Sequence, residues 1–170
     1  MPVSFRIREF GAGDFERLWR IDRECFAEGI AYSKQELKEY LGRRGAFCYV
    51  AESENRLERR RAGAHSVEVA GFILGESERR KMGHVITIDV LPQVRRAGLG
   101  SKLMSLAEEH FRKTGCSAIV LETAVDNVSA IRFYRRHGYS ILKTIPRYYM
   151  GSIDALLFYK RIEDVSVLTS

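Results

Sequence analysis

A basic stretch with two glycines, residues 93–101, has the residue types that hold a phosphate group. Gly98 and Gly100 allow a ligand to approach the backbone closely, and Arg95 and Arg96 add positive charge. The free N–H groups of a helix that begins here, together with its dipole, also favour an anion. The stretch therefore predicts a phosphate or pyrophosphate site, although tight turns between a strand and a helix also use glycine for steric reasons alone.

The sequence on either side of this stretch indicates a strand, a tight basic turn and a helix. Residues 84–91 are rich in β-branched side chains and end at Pro92, which indicates a buried strand. Downstream, leucines recur at helical spacing from Leu99, and Gly115 is placed to end the helix. The turn has neither the G-x-x-x-x-G-K-S/T pattern nor G-x-G-x-x-G followed about 20 positions later by an acidic residue, so the two better-known phosphate loops are excluded.

Length and composition are those of an ordinary globular protein. The 170 residues are 45% hydrophobic and 29% charged. We expect one domain over residues 3–162 and a C-terminal tail at 163–170. No apolar run approaches the roughly 20 residues of a membrane span, and the N-terminus lacks a signal-peptide core, so we expect a cytoplasmic protein without a membrane partner. The net charge of +6 suits a phosphate-rich ligand without requiring one.

The cysteines and histidines give no sign of a disulfide framework or a metal site. Cys25, Cys48 and Cys116 are odd in number and lack C-x-x-C spacing, so we expect reduced thiols in the core. Cys25 also completes the apolar face of a helix with Leu18 and Ile21. The histidines have no metal-ligand spacing with acidic residues or cysteines, and we therefore expect no bound metal.

The chain as a whole mixes predicted strands and helices. The predicted strands are residues 3–8, 47–51, 67–74, 84–91, 117–122, 139–144 and 153–161. The predicted helices begin at Asp14, Ser33, Leu99 and Asn127. This order favours one largely antiparallel sheet with helices packed on it. Ser33 and Glu36 fit a capping box. The connection at 52–66 contains three arginines, Arg59–Arg61; because charge runs are usually solvated, direct nucleic-acid binding is disfavoured.

Two motifs carry a resemblance to a known family. The R-x-x-G-x-G run that begins at Arg95 resembles the acyl-CoA pyrophosphate loop of the GNAT superfamily of N-acetyltransferases. Residues 127–139 have the pattern N-x-x-A-x-x-F-Y-x-x-x-G-Y, which is similar to a helix of the same superfamily. The resemblance covers residues 3–162. It implies the GNAT fold, a mixed α/β arrangement of the α+β class: a twisted, mostly antiparallel sheet of about seven strands, with helices on both faces and a splay between the fourth and fifth strands.

The resemblance implies that acetyl-CoA is the acyl donor and lies between strands 85–91 and 119–122. Backbone N–H groups near Val90 would then hold the thioester oxygen as it becomes an oxyanion. The residues that the resemblance places at the cofactor are Ile88, Asp89, Val90, Arg95, Arg96, Ala97, Gly98, Leu99, Gly100, Ser101, Asn127 and Tyr134. Asn127 also fits a simple helix cap, and the two roles are compatible.

Three residues are catalytic candidates by the same resemblance. N-terminal acetyltransferases of the ribosomal-protein, RimI-like type carry a glutamate where this chain has Glu122, which would take the amine proton directly or through water. The alternative is that Glu122 has a structural role and only hydrogen-bonds to a neighbouring arginine or backbone group. His84 resembles a histidine of some N-terminal acetyltransferases and is either a second base or water-holder or a structural residue. Tyr134 is implied to protonate the leaving sulfur; its alternative is an ordinary core position.

The resemblance also places four residues, three of them tyrosines, beside the entrance for a peptide acceptor. The residues concerned are Glu28, Tyr32, Tyr148 and Tyr149. We expect Tyr148 and Tyr149 in the connection between the last two strands, although exposed aromatic residues on loops can also be incidental. Residues 27–31 depart from the proline-bearing segment of several better-known members.

We therefore expect an acetyl-CoA-dependent N-acetyltransferase that modifies a protein N-terminal α-amine, ribosomal or otherwise cytosolic, by direct attack in a ternary complex. A small-amine or lysine acetyltransferase is the first alternative, because a fold does not fix the acceptor. A non-catalytic acyl-CoA sensor is the second, and an activity assay distinguishes it from an enzyme.

Overall fold

The computed structural model describes residues 4–54 and 68–162. The expected tail at 163–170 and the Arg59–Arg61 segment lie outside the described residues. The strands are β1 (Phe5–Glu9), β2 (Ala46–Ser53), β3 (Val69–Glu78), β4 (Met82–Val90), β5 (Ala118–Ala124), β6 (Ser140–Tyr149) and β7 (Ile153–Arg161). The helices are α1 (Phe15–Cys25), α2 (Lys34–Leu41), α3 (Leu99–Lys113) and α4 (Val128–Arg136).

The seven strands form one sheet in the order β1-β2-β3-β4-β5-β7-β6. Neighbouring strands pair antiparallel except for β4 and β5, which run parallel. A parallel pair needs a crossover connection, and α3 supplies it between β4 and β5. The predicted mixed fold with a mostly antiparallel, seven-stranded sheet is confirmed.

The sheet opens between β4 and β5. Their parallel pairing covers only residues 82–84 of β4 against residues 118–120 of β5. On its other side, β5 stays paired with β7 as far as Ala124. The later part of β5 therefore follows β7 while the later part of β4 follows β3, and the expected splay between the fourth and fifth strands is present.

A bulge in β4 lies at the start of this opening. Leu74 of β3 pairs with Thr87, but the next residue, Gly75, pairs with Val85, so Ile86 has no partner on β3. An extra residue of this kind bends the strand and reverses the alternation of its side chains. Odd-numbered side chains of β4 consequently face one side of the sheet before the bulge and the other side after it.

Helices cover both faces of the sheet, as predicted. On one face, α3 and α4 pack around a core that contains Leu103 and Phe111. On the other face, α1 and α2 pack around Leu18 and Leu37. All four side chains are fully buried. Packing under α3 is so close that a Cβ added at Gly83 would lie 2.5 Å from the ring of Phe111.

The first two helices begin differently. At α2, Ser33 and Glu36 form the predicted capping box. At α1, Asp14 occupies the N-cap position, but its side chain makes no capping hydrogen bond to the helix. Its carboxylate instead accepts hydrogen bonds from the Gly11 N–H at 2.8 Å and from Arg8 at 2.7 and 2.8 Å. The stronger, charge-assisted partner thus takes the place of the helix N–H.

The last hairpin also differs from the prediction. β6 continues through Pro146 to Tyr149, so Tyr148 and Tyr149 lie at the end of a strand and not in the connection that follows it. Because β6 is an edge strand, a proline without an N–H is tolerated there. The pairing with β7 is irregular between Ile145 and Tyr149, which accommodates the proline.

Candidate active site

His84 and Glu122 meet where β4 and β5 part. His84 is the last residue of β4 that pairs with β5, and its pairing partner is Val120. Glu122 follows on β5, and its Oε2 lies 2.7 Å from His84 Nε2. The sequence identified both side chains as candidates but did not predict that they bond to each other.

The charge state of His84 is set by competing effects. Burial lowers the pKa of His84, but the hydrogen bond and charge of Glu122, with the charges of Glu78 and Glu76, raise it by more, so that the net shift is upward. His84 Nδ1 lies 3.6 Å from a carboxylate oxygen of Glu78. A larger share of this imidazole is therefore protonated near neutral pH than of a free histidine.

Tyr134 lies on α4 and is largely buried, with its ring centroid 5.5 Å from that of Phe158. Burial raises the pKa of the Tyr134 phenol, and the charges of Asp89, Tyr149 and Glu122 raise it further. A phenol with a raised pKa keeps its proton at neutral pH and remains a hydrogen-bond donor. Tyr134 also belongs to the same core cluster as Val85 of β4 and Leu121 of β5.

The turn before α3 leaves space for a ligand at the helix start. Gly98 is the N-cap of α3 with φ of +79°, and a Cβ added there would meet nothing within 4 Å. Gly100 instead lies against α4, where an added Cβ would be 3.2 Å from the ring of Phe133. The N–H groups of the first helical turn have no acceptor within the helix. The open space at Gly98 therefore lies at the positive end of the helix dipole.

The neighbouring cofactor candidates take up different positions around this turn. Arg95 Nε donates a hydrogen bond to the carbonyl oxygen of Val90 at 2.8 Å, which ties the turn to the end of β4. Arg96 and Ala97 are exposed, Ser101 is half-buried, and Leu99 is buried in the core. Because its side chain is buried, Leu99 can contact a ligand only through its backbone.

The end of β4 presents its side chains to both faces. Ile88 and Val90 pack against the core on the α3 side. Asp89 is fully buried, and its Oδ1 accepts a hydrogen bond from the Thr87 hydroxyl at 2.5 Å. The Asp89 side chain is consequently closed to a cofactor, which leaves only its backbone for the predicted contact.

Asn127 occupies the N-cap of α4. Its side-chain oxygen accepts a hydrogen bond from the Ala130 N–H at 3.1 Å. The capping role predicted for Asn127 is confirmed, whereas its contact with the cofactor arm stays a prediction.

Two of the residues predicted at the acceptor entrance, Glu28 and Tyr32, lie in the segment between α1 and α2. The Tyr32 N–H donates to Asp22 Oδ2 at 2.6 Å, and the Tyr32 hydroxyl donates to the carbonyl oxygen of Ile86, the bulged residue of β4, at 3.3 Å. The Tyr32 ring makes an edge contact with Tyr40. Glu28 is exposed on the same segment. Tyr32 is therefore tied to β4, whereas Glu28 is available to solvent.

The other two residues predicted at the entrance, Tyr148 and Tyr149, lie at the end of β6. The rings of Tyr148 and Tyr149 contact each other with centroids 4.9 Å apart. Burial raises the pKa of Tyr149, and the charges of Tyr148 and Glu122 raise it further. Met150 reaches across to the α1–α2 segment, where a Cβ added at Gly29 would be 2.6 Å from its sulfur.

Sequence reasoning missed Asp22 and the position of Cys25. Asp22 is fully buried on α1, although the predicted inner face contained only Leu18, Ile21 and Cys25. An acidic residue one turn after Leu18 on an apolar helix face was the signal that could have found it. The Cys25 thiol lies 3.4 Å from the carbonyl oxygen of Val90 at the end of β4.

Residues 4–54 and 68–162 contain neither a cluster suited to a metal nor a membrane-spanning helix. No group of three or more His, Cys, Asp or Glu side chains in this part of the chain is arranged to hold a metal ion. No helix in it is long and apolar enough to cross a membrane. The expected lack of a bound metal stays a prediction.

Comparison with known proteins identifies the family. The acetyltransferase (GNAT) family matches residues 15–139. An uncharacterized N-acetyltransferase of Methanocaldococcus jannaschii is 33% identical, over 91% of this chain and 90% of its own. An N-alpha-acetyltransferase of Sulfurisphaera tokodaii is 30% identical, over 91% of both chains. The chain belongs to the GNAT family of acetyltransferases and is an N-acetyltransferase.

Solved structures agree with this assignment. Ard1 from Thermoplasma volcanium superimposes with a TM-score of 0.79 at 26% identity, covering 95% of this chain and 99% of that one. The ribosomal-protein-S18-alanine N-acetyltransferase from Escherichia coli superimposes with a TM-score of 0.76 at 19% identity, covering 94% and 95%. The second similarity shows a shared fold.

Proposed function

We propose that this enzyme transfers the acetyl group of acetyl-CoA to the α-amine of a protein or peptide N-terminus, by direct attack within a ternary complex. The observation that carries the proposal is the meeting of His84 and Glu122 at the point where β4 and β5 part, with Tyr134 near the same opening. A base, an acid and a gap between two strands are the parts that direct transfer needs.

On the donor side, the start of α3 binds the diphosphate of acetyl-CoA. The residues in this role are Arg95, Arg96, Ala97, Gly98, Leu99, Gly100 and Ser101. The open space at Gly98 and the free N–H groups of the first turn support it. Asn127 contacts the cofactor arm while it caps α4.

The carbonyl of the thioester is held at the end of β4. Backbone N–H groups in the stretch of Ile88, Asp89 and Val90 donate to its oxygen and stabilise the negative charge that develops there. A donor of this kind contributes about 3 kcal/mol in other acyl-transfer sites. The bulge at Ile86 supports this role because it bends β4 away from β5 and frees the later backbone.

On the acceptor side, Glu122 is the base. An N-terminal amine has an ordinary pKa of about 7.7–8.0, so a carboxylate that removes its proton directly or through water suffices. His84 holds Oε2 of Glu122 and so orients the carboxylate. The amine nitrogen then bonds to the carbonyl carbon, and its proton passes to Glu122.

Tyr134 completes the transfer as the acid. As the carbon–sulfur bond breaks, the phenol gives its proton to the sulfur, which leaves as a thiol with an ordinary pKa of about 8.5. Burial raises the pKa of the Cys25 thiol to about 11, so this residue is a protonated thiol near the slit and not a nucleophile. Its protonation supports direct attack over an acyl-enzyme.

A protein N-terminus is the acceptor class that the surroundings favour. Tyr32, Tyr148 and Tyr149 flank the entrance, and Met150 bridges to Gly29, which narrows the approach. The relative from Sulfurisphaera tokodaii is named for α-amine acetylation. We propose a ribosomal or other cytosolic protein as the target, with residues 3–162 as the catalytic domain. The three cysteines, all unpaired, suit the reducing cytosol.

The test offers acetyl-CoA with a panel of acceptors and locates the acetyl group by mass spectrometry. The panel contains peptides with a free N-terminus, the same peptides with a blocked N-terminus and an internal lysine, and polyamines. We expect acetylation of the α-amine alone. Acetylation of the blocked peptides on lysine, or of polyamines in preference to peptides, would assign the other acceptor class.

A further inference from the structure

The most unusual buried groups in the molecule are two carboxyl side chains, Asp22 on α1 and Asp89 on β4. Both are fully buried, at 0% exposure. Asp22 Oδ1 and Asp89 Oδ2 have no hydrogen-bond partner among the described residues, although the two side chains lie within hydrogen-bonding range of each other. Two acceptor oxygens placed together and left unsatisfied are what a single proton between them would satisfy.

We propose that Asp22 and Asp89 share one proton, and that this hydrogen-bonded pair positions the acceptor side of the active site against β4. The remaining oxygen of each side chain has a partner of its own. Asp22 Oδ2 accepts from the Tyr32 N–H at 2.6 Å, and Asp89 Oδ1 accepts from the Thr87 hydroxyl at 2.5 Å. A continuous chain of hydrogen bonds therefore runs from the α1–α2 segment to the divergent half of β4.

The electrostatic surroundings favour a protonated pair. Burial raises the pKa of both side chains, and the proximity of the other carboxyl raises that of Asp89 further. Hydrogen bonds from the Tyr32 N–H and Asp89 oppose the rise at Asp22, and the bond from the Thr87 hydroxyl opposes it at Asp89. Of the charged groups that face Asp22, Glu36 on α2 acts in the same direction and Arg23 on α1 against it. Arg95, in the turn after β4, acts against the rise at Asp89.

Two further titratable groups lie near this pair. The Cys25 thiol is influenced by Asp89, Asp22 and Arg95, and the Tyr134 phenol by Asp89. Both keep their protons at neutral pH because burial and neighbouring charges raise their pKa values. Neither adds a charge that would hold two ionised aspartates together.

The shared proton has a consequence for the acceptor, which rests on the proposed function. When the pair loses its proton as the pH rises, two like charges remain in a fully buried site, and they repel each other. The repulsion moves α1 and Tyr32 away from β4, and the acceptor then fits less well. The acceptor KM should rise with pH while the donor site at α3 is unaffected.

Asp22→Asn tests this, because a carboxamide donates to Asp89 without a titratable proton and still accepts from Tyr32. We expect the acceptor KM of the original protein to rise at least about tenfold, relative to that of Asp22→Asn, between neutral pH and the alkaline limb. Comparing the two proteins at each pH cancels the titration of the acceptor amine. Glu24→Gln, on the exposed side of the same helix, is the control and should follow the original protein. An identical pH dependence of KM in Asp22→Asn and the original protein would overturn the positioning role.

A second measurement needs no acceptor. Carboxyl carbons of aspartate are followed by ¹³C NMR during a pH titration, and the signals are assigned with Asp22→Asn and Asp89→Asn. We expect the two signals to titrate together, well above the free-aspartate range, and the Asp89 signal to move to lower pH in Asp22→Asn, because Asp22 raises the pKa of Asp89. Two signals that titrate independently of each other would refute the shared proton whichever amine the enzyme acetylates. A panel that fails with every peptide N-terminus would reject the proposed function but leave this NMR result decisive for the pair.

Discussion

At the scale of single residues, the hydrogen bond between His84 and Glu122 makes the pKa of His84 depend on the charge of Glu122. Glu122 supplies the main effects that raise the pKa of His84, while burial, the largest single effect, opposes them. Glu122→Gln should therefore lower the His84 pKa, and proton NMR of the imidazole would show the titration at lower pH. Glu78→Gln should lower it by less, because the charge of Glu78 is a smaller contribution.

Glu122→Gln also tests the proposed role of Glu122 as the general base. With no carboxylate to take the amine proton, kcat of Glu122→Gln should fall about 100-fold, with acetyl-CoA affinity unchanged. Steady-state kinetics measures kcat, and calorimetry measures the affinity for acetyl-CoA. A variant with normal kcat and an unchanged pH–rate profile would remove Glu122 from the base role.

Tyr134→Phe separates chemistry from packing. The phenyl ring keeps the contact with Phe158, so we expect acetyl-CoA to bind normally and kcat to fall about 100-fold through loss of the acid. Tyr139→Phe is the matched control, because Tyr139 is also buried but its hydroxyl donates to Glu108 of α3. If Tyr134→Phe lost affinity without losing kcat, the tyrosine would be a structural residue.

The residue scale also shows where sequence reasoning reached its limit. Glu122, Tyr134 and His84 were identified from motif resemblance and short spacings. The bond from His84 to Glu122 depends on the register of β4 against β5, and the burial of both Asp22 and Asp89 depends on how α1 packs against the sheet. Neither follows from local periodicity, because both are set by tertiary contacts between distant segments.

At the scale of elements, the N-terminus of α3 should bind the donor through its backbone. In Gly98→Val, the new side chain would project into the open space assigned to the diphosphate, and we expect acetyl-CoA affinity to fall at least about 100-fold. Because residue 98 has a positive φ, a valine there should also reduce the free energy of unfolding by about 1–2 kcal/mol.

Gly115→Val controls for that strain. Gly115 follows the other end of α3, has φ of +80°, and also has nothing within 4 Å of an added Cβ. Chemical denaturation should show similar losses for the two variants, whereas calorimetry should show lost binding only for Gly98→Val. Equal acetyl-CoA affinity in both variants would contradict the assignment of the turn.

The capping box of α2 gives a stability prediction at the same scale. Ser33→Ala removes the oxygen that accepts the Glu36 N–H and should reduce the free energy of unfolding by about 1 kcal/mol, measured in urea. Ser105→Ala, in the exposed middle of α3, should cause no loss, because alanine is the better helix former. Equal losses would show that the cap contributes nothing of its own.

At the scale of the whole molecule, element order and sheet type could be predicted because strand and helix periods alternate clearly along the chain. The end of β6 could not be predicted, because proline normally marks the end of a strand. Pro146 is tolerated inside β6 because this strand lies at the edge of the sheet and its pairing is irregular there. The bulge at Ile86 has no sequence signal either. It is visible only in the pairing of β3 with β4.

The central claim is that the opening between β4 and β5 holds acetyl-CoA with its diphosphate at α3 and its sulfur beside Tyr134. A crystal structure of the protein with coenzyme A tests it most directly. We predict phosphate oxygens within hydrogen-bond distance of the N–H groups that begin α3, and the sulfur within reach of the Tyr134 hydroxyl. Coenzyme A bound elsewhere, or an opening filled by the protein's own side chains, would contradict the account.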